Sequence, residues 1–190
     1  MKKNIYSVLL ITIILISGQS ALALNNKDHK ASIDTITKIF LKGPKPYTLP
    51  GNLFTIHSAE KILGEKAHLN DSSTKEQNNI VTYSSSYFAD VLDSKSGKTG
   101  SIYFLLEKFD LVSDAKQKYS SIKIANENHE GVKVLHNIGD EAYFHSDGEN
   151  FYFIMVRKGK NVFNMKVNKI TSKTSLVGFN QIAKSITKAL

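Results

Sequence analysis

Apolar and polar residues alternate over several short segments of this chain, which is the pattern of half-buried β-strands. Turn residues such as Gly, Asp and Lys separate these segments, mostly in the second half. Alternation or a continuous apolar run predicts six strands, at residues 80–90, 101–109, 131–135, 141–145, 150–158 and 161–167. The polar stretch at residues 67–79 shows neither pattern and is predicted to be a loop.

Apolar residues spaced three and four apart predict amphipathic helices. Ser58 and Ser175 stand where an N-cap is expected, and Gly64 can take the left-handed conformation that closes a helix. The predicted helices lie at residues 32–40, 57–66, 112–128 and 176–190.

The order of these elements favours an α+β fold. Consecutive hairpins require an antiparallel sheet, and helices with an apolar stripe must pack on it. We predict a single antiparallel sheet of about five or six strands with two main helices packed on one face, plus short N-terminal helices.

The first residues have the order of a bacterial secretory signal peptide: two lysines, an apolar run from Val8 to Ile16, and small residues up to Ala23. The run is shorter than the roughly 20 residues that a spanning helix needs. We therefore expect cleavage after Ala23 and a periplasmic or secreted product that is not an integral membrane protein. The predicted domains are a signal peptide at 1–23, an N-terminal arm with a short helix and a proline-rich connector at 24–54, and one α+β domain at 55–190.

The composition excludes cysteine chemistry and reduces the range of expected partners. The chain has no cysteine, so it has no disulfide, no thiolate for catalysis and no cysteine for lipidation. Its formal charge of +8 reflects either genome composition or attraction to an acidic protein or anionic envelope surface. Arg157 is the only arginine beside 24 lysines, whereas nucleic-acid readers more often use arginine forks. Nucleic acid is therefore not an expected partner.

One motif resembles that of serine acyl enzymes acting on peptidoglycan and β-lactams. Ser58 and Lys61 match S-x-x-K, Lys98 begins a K-T-G triplet, and Ser113 begins S-D-A where those enzymes have S-D-N. Those enzymes have the two later motifs in the opposite order, carry K-T-G on a strand, and need a larger fold. We expect no catalytic residue, and a small envelope hydrolase of this type remains an alternative.

A cluster of acids precedes the last hairpins and is a candidate for a metal or acid/base site. Asp140, Glu141, His145, Asp147 and Glu149 fall within ten positions. Gly139-Asp140 and Asp147-Gly148 are turn dipeptides, which explains most of this cluster. The six histidines show no pair at metal-ligand spacing. We predict no metal and no cofactor.

Aromatic residues fall almost entirely on the predicted strands, and core packing accounts for most of them. Tyrosines on a sheet face left open by the helices would form a shallow binding surface, with two cations at its end. The candidate ligand-binding residues are Arg157, Tyr143, Tyr152, Tyr83 and Lys166.

Three short motifs give the chain a resemblance to a loose class of uncharacterised bacterial exported domains. Gly139–Tyr143 spells G-D-E-A-Y, Arg157–Gly159 spells R-x-G, and Ile62–Glu65 spells I-L-G-E. The resemblance covers roughly residues 55–190 and implies a small α/β domain of Mog1/PsbP-like shape without a known activity. Many such proteins are lipoproteins, and this chain departs from them in having no cysteine.

The function these observations favour is that of an exported, non-enzymatic binding or accessory protein of the bacterial envelope. Its partner would be a protein or an anionic envelope component. The alternatives are the small hydrolase described above and an immunity-type protein that neutralises a toxin.

Overall fold

A computed structural model describes residues 52–190, which contain seven strands and three helices. The predicted signal peptide with its cleavage after Ala23, and the predicted arm up to residue 51, lie outside the described residues. The elements are α1 (Ile56–Leu63), β1 (Ala67–Gln77), β2 (Ile80–Ala89), β3 (Ser101–Lys108), α2 (Val112–Asn126), β4 (Val132–Leu135), β5 (Glu141–Ser146), β6 (Phe151–Lys158), β7 (Asn161–Asn168) and α3 (Leu176–Ala189).

All seven strands form one antiparallel sheet with the order β1-β2-β3-β7-β6-β5-β4. The α+β class and the single antiparallel sheet are thus confirmed. The predicted number of five or six strands is wrong, because the stretch predicted as a polar loop is strand β1.

Strand β1 gave no apolar signal because the sheet buries almost none of it. It is an edge strand paired only with β2, and Ala67 is its one buried residue. Polar contacts accompany the backbone ladder, including a 2.9 Å hydrogen bond between the hydroxyls of Ser73 and Ser84. Asn78 and Asn79 connect the two strands with φ angles of 53° and 61°, the left-handed conformations of a tight two-residue hairpin turn.

The two long helices lie on opposite faces of the sheet, so the prediction that both pack on one face is wrong. Helices α1 and α3 cover one face, where Phe54, Phe104 and Phe179 belong to the larger core. Helix α2 packs on the other face, where its Tyr119 meets Met155 of β6 in a smaller core. The reason lies in β6, which is apolar at every position from Phe151 to Val156 and needs cover on both sides.

The helix ends follow local capping rules. Thr55, and not Ser58, is the N-cap of α1, since the Thr55 hydroxyl accepts from the Ser58 backbone N–H at 3.4 Å. Gly64 closes α1 in the left-handed conformation, and the Ser175 hydroxyl caps α3 at 3.0 Å from the Gly178 N–H, both as predicted. None of the described helices combines the length and apolarity needed to cross a bilayer.

Asp93 ties the loop between β2 and β3 to the loop before α3. Its buried carboxylate accepts hydrogen bonds from the hydroxyls of Ser96 and Ser172, at 2.6 and 2.9 Å. It also accepts from the backbone N–H groups of Ser96 and Ser172, at 3.2 and 2.8 Å. These donors, with the Ser96 hydroxyl foremost, hold the pKa of the Asp93 carboxyl well below its usual range. The tether fixes the loops at the end of the sheet where β3 and β6 begin.

Candidate functional site

Helix α2 covers only part of its side of the sheet. Its contacts lie toward the β6–β7 hairpin, at residues such as Met155 and Val162. The strand register places four other residues on the same side, nearer the starts of β3 and β6: Phe88, Tyr103, Phe151 and Lys166. We call these four residues the open face, because neither of the two core clusters that the described helices form with the sheet includes any of them.

The open face carries a row of rings and one cation that crosses the strands. Tyr103, which is 41 % exposed, meets the ring of Phe88 with 6.3 Å between centroids. Lys166 is the cross-strand partner of Tyr103, and its Nζ lies 5.6 Å from the centre of the Phe151 ring. His145 continues the row beyond Phe151, with 4.9 Å between ring centroids. The row therefore spans the sheet from β2 to β5.

A small cleft of about 350 Å³ adjoins the open face at the end of the sheet. Its lining combines one apolar residue, two lysines and several polar groups: Leu92, Gly97, Lys98, Thr99, Asn150, Asn168 and Lys169. We call it the end cleft. Asn168 joins it to the open face, since Asn168 pairs with Phe151 and shares the side of β7 on which Lys166 stands.

The cations of this region are largely without acidic partners. Lys98 donates a 3.3 Å hydrogen bond to the neutral Asn150 side chain, and neither Lys166 nor Lys169 forms an ion pair with a described residue. The acids nearest in sequence to Asn150 and Phe151 are in the turn between β5 and β6. In this turn the Asp147 carboxylate accepts hydrogen bonds from backbone N–H groups, and the bond from Asn150, at 2.8 Å, has the largest effect. These bonds hold the pKa of Asp147 well below its usual range. Glu149 is exposed in the same turn.

Arg157, the first of the residues predicted to bind a ligand, is occupied in a structural clasp. Its Nε donates to Glu141 and its Nη1 donates to Asp140 at 2.8 Å, with only 10 % of the side chain exposed. Asp140 also accepts from the Gly159 N–H at 2.7 Å, the main cause of its lowered pKa. The G-D-E-A-Y and R-x-G motifs are thus the two halves of one clasp between β5 and the β6–β7 hairpin.

The other predicted candidates are divided between the two faces. Tyr143 is buried beneath α2 against Tyr119, and burial raises the pKa of its hydroxyl. Tyr152 packs against Phe179 of α3, and Tyr83 packs against Phe104, both on the face covered by α1 and α3. Of the five predicted residues, Lys166 alone belongs to the open face.

Tyr103 and Lys169 were not among the predicted ligand-binding residues, and Lys98 was noted only as the start of the K-T-G triplet. A signal for Tyr103 was available in β3, whose alternation sends Ile102, Phe104 and Leu106 to one side and Tyr103 to the other. The two lysines stand in loops, where the sequence gives no direction for a side chain.

The acidic stretch that suggested a metal site does not converge. Glu141 pairs with Arg157, Asp147 organises its turn, and His145 lies against Phe151. In the part of the chain that the structure describes, no group of three or more metal-ligating side chains comes together.

The serine and lysines of the acyl-enzyme motif are engaged in other contacts or share no described hydrogen bond. The Ser58 hydroxyl lies 3.4 Å from that of Thr55, with no hydrogen bond to Lys61 among the described contacts. Lys98, the start of K-T-G, is in a loop and bonds to Asn150. No described nucleophile is thereby joined to a base in this motif.

A larger cleft of about 640 Å³ lies at the opposite end of the sheet, beside the start of α2. Its lining includes Asn78, Asn79, Phe109 and Leu111, and its one lysine, Lys118, is already paired with Glu107 at 3.1 Å. It has neither a row of rings nor an unpaired cation, so volume alone favours it over the open face.

Comparison of the chain with models of known protein families, with curated proteins and with solved structures finds no match.

Proposed function

We propose that this chain is an exported, non-enzymatic binding or accessory protein of the bacterial envelope, and that its ligand lies on the open face. The observation that carries the proposal is the row of rings and Lys166 on a part of the sheet that α2 leaves uncovered. A sheet face without functional use is normally polar or covered, whereas a row of rings with exposed Tyr103 and half-buried Phe88 and Phe151 is typical of a binding surface. The export part of the proposal rests on the signal-like order of residues 1–23.

The shape of the surface agrees with binding better than with catalysis. The open face and the end cleft are shallow, and they offer rings, amides and ammonium groups. Such groups recognise and orient a ligand, while catalysis requires a nucleophile or an acid/base pair at mutual hydrogen-bond distance.

The test is capture of ligands from a bacterial envelope extract by the full chain immobilised on a support. We expect Tyr103→Ala to retain about a fifth or less of the material captured by the unmodified chain, since stacking on an aromatic side chain is worth on the order of 1 kcal/mol or more, which is about fivefold in affinity. The control is Val177→Ala on α3, which removes another exposed apolar side chain from a different surface. Equal capture by the Tyr103→Ala variant and the unmodified chain would refute the proposal.

The non-enzymatic part has its own test. A fluorescent β-lactam should label neither the unmodified chain nor Ser58→Ala. Labelling that disappears in Ser58→Ala would establish the acyl-enzyme alternative instead.

A further inference from the structure

We propose that the ligand of the open face is an acidic polysaccharide. Its sugar rings would lie on Tyr103 and Phe151, and its anionic groups would be bound by Lys98, Lys166 and Lys169. This inference rests on the proposed function, because it names the ligand class of the same surface.

Charge is the first argument. Three ammonium groups stand on the open face or in the end cleft, and none of them has an acidic partner among the described residues. Of the acids nearby, Asp93 is engaged in its tether, Asp147 in its turn and Asp90 with His68 at 2.7 Å, which leaves Glu149 as the exposed exception. An anionic ligand supplies the counter-charges that the protein itself does not.

The rings and amides are the second argument. The faces of aromatic rings bind the apolar C–H faces of sugars, and Tyr103 also offers a hydroxyl. Asn150 and Asn168 line the end cleft beside Phe151, and each amide group can both donate to and accept from sugar hydroxyls. Rings for stacking beside amides for hydroxyl groups suit a glycan better than a ligand recognised by charge alone.

The extent of the row is the third argument. The contacts run from Phe88 on β2 through Tyr103 to Phe151 on β6, so they cross the strands rather than enclose a point. An extended polymer satisfies such a row along its length, whereas a small molecule would reach only one part of it.

Single-stranded nucleic acid is the strongest competing polymer, because rings and cations also bind its bases and phosphates. Its preferred phosphate-binding residue is arginine, and the one arginine of this chain is held in the clasp with Asp140 and Glu141. The remaining cations are lysines, which act as point charges and do not require a phosphate.

The experiment measures the affinity of the full chain for four defined polymers at low salt. The probes are polygalacturonate as the acidic polysaccharide, dextran as a neutral one, poly-L-glutamate as an acidic peptide and oligo-dT as a single-stranded nucleic acid. We expect polygalacturonate to bind at least about tenfold more tightly than each of the other three, and its affinity to fall as salt is added.

Variants test whether polygalacturonate binds at the open face and the end cleft. We expect Tyr103→Ala, and the pair Lys98→Gln with Lys169→Gln, each to weaken polygalacturonate binding by about tenfold, while Tyr103→Phe retains most of it. The control pair, Lys184→Gln with Lys188→Gln on the exposed side of α3, removes the same charge from a different surface and should leave affinity within about twofold. Glu149→Gln should strengthen binding, because it removes the exposed acid next to the end cleft. Thermal melts of every variant verify that each is folded.

Each outcome bears on the proposal in a defined way. Equal affinity for poly-L-glutamate, or tighter binding of oligo-dT, would overturn the polysaccharide assignment. If dextran bound as tightly as polygalacturonate and still required Tyr103, the claim that the polysaccharide is acidic would be overturned. The open face would then remain a binding surface. Binding of none of the four would overturn the ligand class, while the capture experiment decides the proposed function independently. If the α3 control pair lost as much affinity for polygalacturonate as the Lys98→Gln, Lys169→Gln pair, the net charge of the chain, and not this surface, would be responsible for binding.

Discussion

Arg157 joins two strands and a turn through one guanidinium group. It contacts Glu141 and Asp140 across the strand pair and donates to the Gly159 carbonyl at 3.3 Å. Gly139, just before the clasp, has a φ of 64°, and a Cβ at this position would collide with the Arg157 carbonyl oxygen. Together these residues explain why glycine, two acids and arginine occur in this order without any need for a bound ligand.

Replacing Arg157 with Gln should therefore reduce stability and leave ligand binding unchanged. We expect a loss of about 2 kcal/mol in the free energy of unfolding, because the side chain is buried but its two carboxylate partners are each about a third exposed. Urea unfolding measures the loss, with Lys133→Gln, an exposed lysine of β4, as the control. A loss of binding affinity in a still-folded Arg157→Gln variant would show that the arginine belongs to the site.

Asp93 should make stability depend on pH in the acid range. Its pKa is lower in the folded protein than in the unfolded chain, where a value of about 4 is normal. The stabilisation is fully present above that unfolded value and is lost as the pH falls toward the folded one.

The comparison that isolates this effect is between the unmodified chain and Asp93→Asn. We expect the variant to be less stable at pH 7, with a urea midpoint that approaches that of the unmodified chain as the pH falls below about 4. Asp71→Asn, which replaces an exposed acid on β1, should leave the urea midpoint nearly unchanged, both at pH 7 and below about pH 4. If Asp93→Asn differed from the unmodified chain in stability by the same amount at pH 7 and below about pH 4, the ionised Asp93 carboxylate would not be the source of the pH dependence.

At the scale of elements, β1 is a weakly supported edge strand, as is the four-residue β4 at the opposite edge of the sheet. It is 11 residues long and polar, pairs only with β2, and buries only Ala67. The central strand β7 has neighbours on both sides and buries Val162, Phe163, Met165 and Val167. Local opening should therefore begin at the edges of the sheet, so that β1 opens before the central strands.

Native-state hydrogen exchange tests this expectation. The amides of β1 that bond to β2 should exchange at least about tenfold faster than the amides of β7, because opening β1 exposes little apolar surface. The hydrogen-bonded amides of β2 that face β3 serve as the control within the same hairpin. Equal protection of β1 and β7 would mean that β1 has support that its burial does not show.

At the scale of the whole molecule, the residue pattern predicted most of the secondary structure but not how the helices are arranged. Alternation or a continuous apolar run located six strands, most of which bury at least one face, and β1 escaped because it buries almost none. The continuous apolar run of β6 indicated cover on both faces, yet no local pattern states which helix supplies it.

The candidate site was less predictable than the fold. Tyrosine at an alternating position signals a strand, but Tyr83 and Tyr152 face one side of the sheet and Tyr103 the other, and only the pairing register reveals whether that side is covered. Arg157 was singled out as the chain's only arginine, although the acids that engage it precede it by 16 and 17 positions. The lysines of the end cleft come together only through loops that the Asp93 tether positions.

The central claim is that the open face binds the ligand, and NMR of the 21.2 kDa chain tests it most directly. Isotope-labelled protein would be titrated with short polygalacturonate chains while the backbone amide shifts are followed. We expect shift changes at Tyr103, Phe151, Lys166, Asn168 and Lys169, and none along the exposed side of α3. Changes confined to α1 and α3, or to the cleft beside the start of α2, would contradict the account.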